Sequence, residues 1–237
     1  MISMFFVGIG NNSGVTSLVQ VFFLTLVILL GIGMTFLISY LLSKTILKGV
    51  PSSFTLELPP YRRPQFLKVI VRSIFDKTLH VLSRAIIVTI PAGTLIWVLA
   101  NISINGFSIL AHINNFLNPF GQLIGLDGVI LTAFLLGFPA NEIVIPIMIM
   151  SYLSLGTITD YSSILELKNL LVDHGWTILT AINMVFLCLF HFPCSTTCLT
   201  IKKETGSIKW MIYSMIIPTV CGVILCIFTT LIFRLIG

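Results

Sequence analysis

Two long apolar stretches of this chain are each cut by a Phe-Pro step followed at once by small, polar or ionisable residues. The first is Gly137-Phe138-Pro139-Ala140-Asn141-Glu142, set between Leu131–Leu136 and Ile143–Met150. The second is His191-Phe192-Pro193-Cys194-Ser195-Thr196-Thr197, directly after Ile182–Phe190. Proline lacks the N–H that would continue a helix, and it pushes its predecessor out of helical backbone, so both segments must break there. The chain is 57% hydrophobic and 9% charged, with a mean hydropathy of +1.08, which excludes a water-soluble domain and leaves an integral membrane protein. Hydrocarbon tolerates freed backbone groups and bare carboxylates only where protein or a water-lined cavity receives them. A pair of interrupted apolar segments therefore points to a transport site.

Charge sets the topology. Ser17–Leu42 is about 26 residues of apolar chain, enough at ~1.5 Å per residue to cross a ~30 Å core with tilt. It runs into Ser43–Arg84, which carries Lys44, Lys48, Arg62, Arg63, Lys68, Arg72, Lys77 and Arg84 against Glu57 and Asp76. The positive-inside rule makes this loop cytoplasmic and the N-terminus external. Met1–Thr16 lacks a positive n-region, so no cleavable signal peptide is expected. Leu58–Pro64 reads as extended chain. From Pro64 an amphipathic helix is expected, with Lys68, Arg72 and Asp76 on one face, lying in the cytoplasmic interface. Arg84–Asn101 is the second span, kinked at Pro91 and Gly93, and Ile102–Gly125 is an external loop with a short interfacial helix around Ile109–Leu117.

Leu126–Leu155 decides the rest. A single crossing would make Gly156–Gly175 cytoplasmic, yet that loop holds Asp160, Glu166 and Asp173 against Lys168, and Lys202, Lys203 and Lys209 would fall outside. A re-entrant hairpin keeps the acidic loop outside and brings eleven of the 13 Lys and Arg to the cytoplasm: eight in the first loop, three in 202–209. The expected fold is all-α: four crossing helices, one re-entrant helical hairpin and an interfacial amphipathic helix. It divides into an N-terminal span and loop start (1–58), a cytoplasmic interfacial segment (59–84) and a membrane domain (85–237) with hairpin 126–155, broken helix 176–201 and a last span, Trp210–Arg234.

Arms of about 13 residues put the hairpin tip ~20 Å deep, and Cys194 lies ~27 Å along the inward helix, so the two breaks should lie at similar depth. Glu142 is an intramembrane carboxylate with no nearby cation in sequence, which points to a functional or site-organising role; a protonated acid bonded to hairpin backbone is the structural alternative. Asn141 reads equally as an oxygen ligand or a helix N-cap. Cys194 and Cys198, four residues apart, are candidate soft ligands for a cation such as Fe(II), although Cys-x3-Cys without histidines is a weak signature. His191 reads as a hydrogen-bonded residue before a third ligand. Ser195 and Thr196 offer hydroxyl or carbonyl contacts, while Thr196 and Thr197 could instead re-satisfy backbone freed by Pro193. Gly137, Phe138, Pro139, Phe192 and Pro193 form the breaks themselves. Cys188, Cys221 and Cys226 read as small packing residues. No Walker motif and no Ser-His-Asp arrangement occurs, so the chain does not read as an enzyme and no nucleotide site can be assigned.

Glu57-Leu58-Pro59-Pro60-Tyr61-Arg62-Arg63-Pro64, Gly137–Glu142, Phe192-Pro193-Cys194 and Lys203-Glu204-Thr205-Gly206-Ser207 together resemble the C-terminal membrane region of the FeoB ferrous-iron transporters, from about Leu18 to Gly237. The resemblance implies Fe(II) as the transported ion, with no permanently bound cofactor, in a bacterial cytoplasmic membrane. It implies that this chain supplies the second, nucleoside-recognition-like gate, with Cys194 matching the gate cysteine and Glu142 the acidic residue of the hairpin tip. The family's GTPase domain and first gate, with its Gly-x-x-Cys-Asn-x-Pro motif, have no counterpart in these 237 residues. A partner chain supplying both is therefore expected in the bilayer, or a homo-oligomer, or else the chain is a remnant. Two other readings stay open: a carrier for nucleosides or other small solutes, and a non-transporting assembly protein.

Overall fold

The computed structural model describes residues 13–45, 78–104, 106–156 and 164–236, and the isolated positions 71 and 75. Almost everything described is helical. Helix α1 (Ser13–Thr45) has no acid in its first turn and is apolar on every side. Phe22 and Phe36 are 70% and 73% exposed, as expected of a helix whose solvent is lipid or another membrane chain. It meets the rest of the fold through Phe23 and Val27, which join the core, and through Gly31, which admits the side chain of Leu189. Helix α2 (Leu79–Asn101) contains Pro91, and its apolar part, Ala85–Asn101, is at the short end of what crosses a bilayer.

A two-stranded turn, β1 (Ser103–Ile104) and β2 (Phe107–Ser108), leads into α3 (Ile109–Leu123), whose first free amide, that of Ala111, is capped by the Ser108 hydroxyl at 3.1 Å. Helix α4 (Gly128–Leu136) leaves α3 at 111°. The two pack tightly because Gly128 lies directly on the Asn114 carbonyl, where any Cβ would collide, and its N–H donates to Asn118 Oδ1 at 3.2 Å. A short 3-10 turn, Asn141–Ile143, then starts α5 (Val144–Tyr152).

Helices α4 and α5 form the hairpin, and its two ends prove the direction. Asp127, the cap residue of α4, accepts the phenol of Tyr152, the last residue of α5, so the start of one arm meets the end of the other. Helix α6 (Ile164–Asp173) follows, then α7 (Ile178–Phe190), α8 (Ser195–Thr205) and α9 (Ile208–Ile236). The fully buried centre is Ile130 of one arm, Ile147, Met148 and Ile149 of the other, Leu171 and Met184. The hairpin thus supplies much of the core, and the long helix α9 packs on α7 and α8.

Among the described residues three helical segments are long and apolar enough to cross a membrane (Leu18–Thr45, Ile178–Thr205, Ile208–Leu235), or four if the bent pair α3–α4 counts as one span. The chain is an all-α polytopic membrane protein. Several boundaries differ from the sequence expectation. The interfacial helix runs to Leu123 instead of Leu117, because the Pro119 position costs one backbone bond and an amphipathic face repays it. The hairpin's helical arms are nine residues each, shorter than expected, because Gly137, Pro139 and the 3-10 turn consume the middle. The acidic loop contains α6, and the pairing of Ser103–Ile104 with Phe107–Ser108 was not anticipated. Of the basic amphipathic helix expected from Pro64, Lys68, Arg72 and Asp76 lie outside the described residues, and its end from Leu79 is continuous with α2 instead of separate from the second span.

Candidate functional site: the junction of the two breaks

Helix α7 is started by Thr177, whose hydroxyl accepts from the Thr180 N–H at 3.3 Å, and it ends where His191 turns extended ahead of Phe192-Pro193. Cys194 is extended as well, φ −62° and ψ 161°, the backbone of a cap residue, and α8 begins at Ser195. A helix start leaves amides without partners and a helix end leaves carbonyls. Here each break solves the other's problem. The Ser195 N–H donates to the Phe138 carbonyl at 2.9 Å, and the Ser195 hydroxyl lies 3.3 Å from the Pro139 carbonyl. Ser195 is 6% exposed, so an unmade bond would cost about 1–3 kcal/mol. The rings of Phe138 and Phe192 pack at 5.7 Å, and His191 packs on Phe134 at 5.3 Å. Gly137 is closed against the Val144 side chain, which leaves no room for a Cβ and folds the tip back on its own second arm.

Both sulfurs of the second break stand at this junction. Cys194 Sγ is 3.2 Å from the hydroxyls of both Thr196 and Thr197. Cys198, 3% exposed, donates its thiol to the Pro193 carbonyl at 3.4 Å, while its N–H closes the first turn of α8 on the Cys194 carbonyl. Thr196 and Thr197 thus turn toward the thiol, and Thr200 bonds back to Thr196. His191 Nδ1 meets the Cys188 carbonyl at 3.1 Å, and its Nε2 is buried without a partner among the described residues. All five cysteines are free; Cys226 packs in the core with its thiol on the Asn183 carbonyl.

Asn141 and Glu142 are placed differently. Both lie exposed on the 3-10 turn. Asn141 caps nothing: the residue before the turn is Ala140 and the one before α5 is Ile143, neither with a side-chain cap. The 3-10 turn is the reason, since its tighter backbone bonds already take up the first amides of α5. Among the described residues no three His, Cys, Asp or Glu gather as a metal-holding group. The fold therefore brings Cys194, Ser195, Thr196 and Cys198 against Phe138, Pro139, Phe192 and Pro193, and leaves the Glu142 carboxylate on an open face beside them.

Residues that fix the hairpin escaped the sequence reading. Asp127 Oδ1 accepts the Ile130 N–H at 2.7 Å, Oδ2 accepts Tyr152, and the Trp176 indole donates to the Tyr152 oxygen at 2.7 Å. Asn183, fully buried, joins α7 to the end of α3 and to α9 through the Ile124 carbonyl, Thr229 and Thr230. Asp-Gly and Trp-Thr immediately before apolar runs are cap signals that could have placed Asp127 and Thr177; nothing local marks Asn183.

Comparison with known proteins gives the same order of parts. The family profile described as ferrous iron transport protein B C terminus matches residues 24–76, and the one described as nucleoside recognition matches residues 82–208. A Fe(2+) transporter FeoB of Staphylococcus aureus is 31% identical over 88% of this chain and 30% of its own length. One from Methanocaldococcus jannaschii is 26% identical over 86% of this chain and 32% of its own. A Porphyromonas gingivalis protein, a fusion of Fe(2+) transport protein A with Fe(2+) transporter FeoB, is 25% identical over 79% of the chain and 28% of that protein. The chain thus spans about a third of the length of these relatives. No solved structure matches it. With the nucleoside-recognition profile covering more than half of its residues and the FeoB C-terminal profile directly ahead of it, the chain belongs to the FeoB ferrous-iron transporter family, in that family's C-terminal membrane region.

Proposed function

We propose that this chain moves Fe(II) across a bacterial cytoplasmic membrane as the C-terminal permeation half of a FeoB-like transporter, together with a separate GTPase and first gate. The observation that carries the reading is the Ser195–Phe138 bond, which holds Cys194 and two hydroxyls at a point where two apolar segments are both interrupted. Thiolate suits a borderline cation, and hydroxyl or carbonyl oxygens complete a site loose enough to release it. In this reading Cys194 and Cys198 are the soft ligands, Ser195 and Thr196 give oxygen contacts, and Glu142 and Asn141 act from the hairpin tip. The open face at Glu142 is where a first gate, on a partner chain or another copy, would close the path. The N-terminus faces outward and the segments 43–84 and 202–209 inward, with residues 85–237 forming the gate domain.

The nucleoside-recognition description favours one competing reading, a carrier of organic solutes. The double substitution Cys194→Ser with Glu142→Gln, in cells that supply the partner, separates the two. Loss of radiolabelled iron uptake at normal membrane abundance supports the Fe(II) site. Unchanged iron uptake overturns the site, and uridine uptake lost in its place would establish the rival.

A further inference from the structure

Away from the junction, a cavity of about 340 Å³ opens between α3, α7 and α9, lined by Asp127, His174, Trp176, Thr180 and Arg234 among others. It sits where the span Ile178–Thr205 begins and the span Ile208–Leu235 ends, hence at the boundary of hydrocarbon and water. Arg234 gives one hydrogen bond, from Nη2 to the Gln122 carbonyl at 3.3 Å, and among the described residues no carboxylate pairs with it. The His174 ring spends Nδ1 on the Leu170 carbonyl at 2.8 Å, which leaves Nε2 for a ligand. Asp127 is the one acid in the wall, and both its oxygens already hold donors, the Ile130 N–H and the Tyr152 phenol. The cavity therefore offers a largely unspent guanidinium and an imidazole nitrogen to an anion, with the Thr180 hydroxyl, shared with Thr177 at 3.2 Å, beside them. Leu123, Ile178 and Leu235, each next in sequence to a lining residue, and Leu231, one turn before Arg234, are 63%, 44%, 86% and 52% exposed.

We infer that this cavity binds the phosphate of an anionic phospholipid, with the guanidinium fork of Arg234 on the phosphate oxygens and the acyl chains over these leucines and this isoleucine. A guanidinium matches phosphate geometry in two parallel bonds. The exposed aliphatic side chains select a lipid over free phosphate, since only a lipid covers them. The walls include Asp127 and Trp176, the residues that clamp Tyr152 and so close the base of the hairpin. A bound lipid thus braces the hairpin from the end opposite the junction. This inference stands on the cavity alone and does not depend on the transported solute.

The test is thermal unfolding of the full chain in nanodiscs of phosphatidylcholine, with or without phosphatidylglycerol. The wild type is expected to unfold several degrees higher with phosphatidylglycerol, and Arg234→Gln to lose most of that gain while matching the wild type in phosphatidylcholine alone. Arg234→Lys, which keeps the charge without the fork, should recover only part of it. Inorganic phosphate or glycerol 3-phosphate added to phosphatidylcholine discs should leave the midpoint unchanged; an equal gain from either would overturn the lipid as the source. A gain of the same size in Arg234→Gln, or none in the wild type, would overturn the site.

Discussion

The Ser195 N–H donates to the Phe138 carbonyl at 2.9 Å, across 57 residues of chain and between two separately broken membrane segments. Ser195 is the first residue of its helix, where proline is tolerated because that N–H has no helical partner, and the extended Cys194 before it already has backbone that a following proline accepts. Ser195→Pro should therefore keep α8 and delete the Phe138 link together with the hydroxyl that Ser195→Ala also removes. We expect it to destabilise the protein by about 1–3 kcal/mol, the cost of leaving the carbonyl of half-buried Phe138 unpaired, against less than ~1 kcal/mol for Ser195→Ala, which keeps the N–H. Thermal unfolding in detergent compares the two. Equal midpoints would mean that the breaks are held by packing and not by this bond.

The base of the hairpin carries a second prediction. Asp127 caps α4 and also accepts the Tyr152 phenol, so its loss removes two things at once. Asp127→Ala is expected to cost about 2 kcal/mol, roughly half of it the cap. Tyr152→Phe alone should cost about 1 kcal/mol, and the double variant less than the sum by about 1 kcal/mol. A strictly additive cycle would show that the carboxylate and phenol do not act as a unit.

Glycine 128 and glycine 33 make a matched pair. A methyl group on Gly128 would run into the Asn114 carbonyl, with the Asn118 N–H also closer than any Cβ sits, whereas one on Gly33 meets nothing within 4 Å. Gly128→Ala should destabilise by at least ~2 kcal/mol through forced separation of α3 and α4. Gly33→Ala should be neutral or stabilising by up to ~1 kcal/mol, because alanine lowers the freedom of the unfolded chain and favours the helix. Chemical denaturation of the pair settles the matter, and comparable losses would count against the close α3–α4 approach.

What could be read from the chain was read from features that act locally or through bulk solvent. The apolar runs fixed the class, since hydrocarbon admits closed backbone only. Lys and Arg placement argued for a hairpin at 126–155, and a hairpin is what Asp127 and Tyr152 close. Pro139 and Pro193 located the breaks because a missing N–H acts at its own position. The boundaries were less legible. Where α4 ends and α5 begins depends on the 3-10 turn at Asn141–Ile143, and α6, though Leu167 and Leu171 give it a buried face, is only ten residues long and carries Glu166, Lys168 and Asp173, so it passes for an acidic loop.

The candidate site divides along the same line. That Cys194, Ser195, Thr196 and Cys198 lie beside a break follows from their order in the chain, and so does the presence of Glu142 at the other break. That Ser195 bonds to Phe138, that Asn183 ties three helices together, and that Glu142 lies exposed could only be decided by folding. The physical reason is that a sequence states which backbone groups a proline or a helix end leaves unpaired, but not which distant group will pair with them. The two Phe-Pro breaks each announce such a deficit. Only the packing of α4 and α5 against α7 and α8 makes one break's amide the answer to the other's carbonyl.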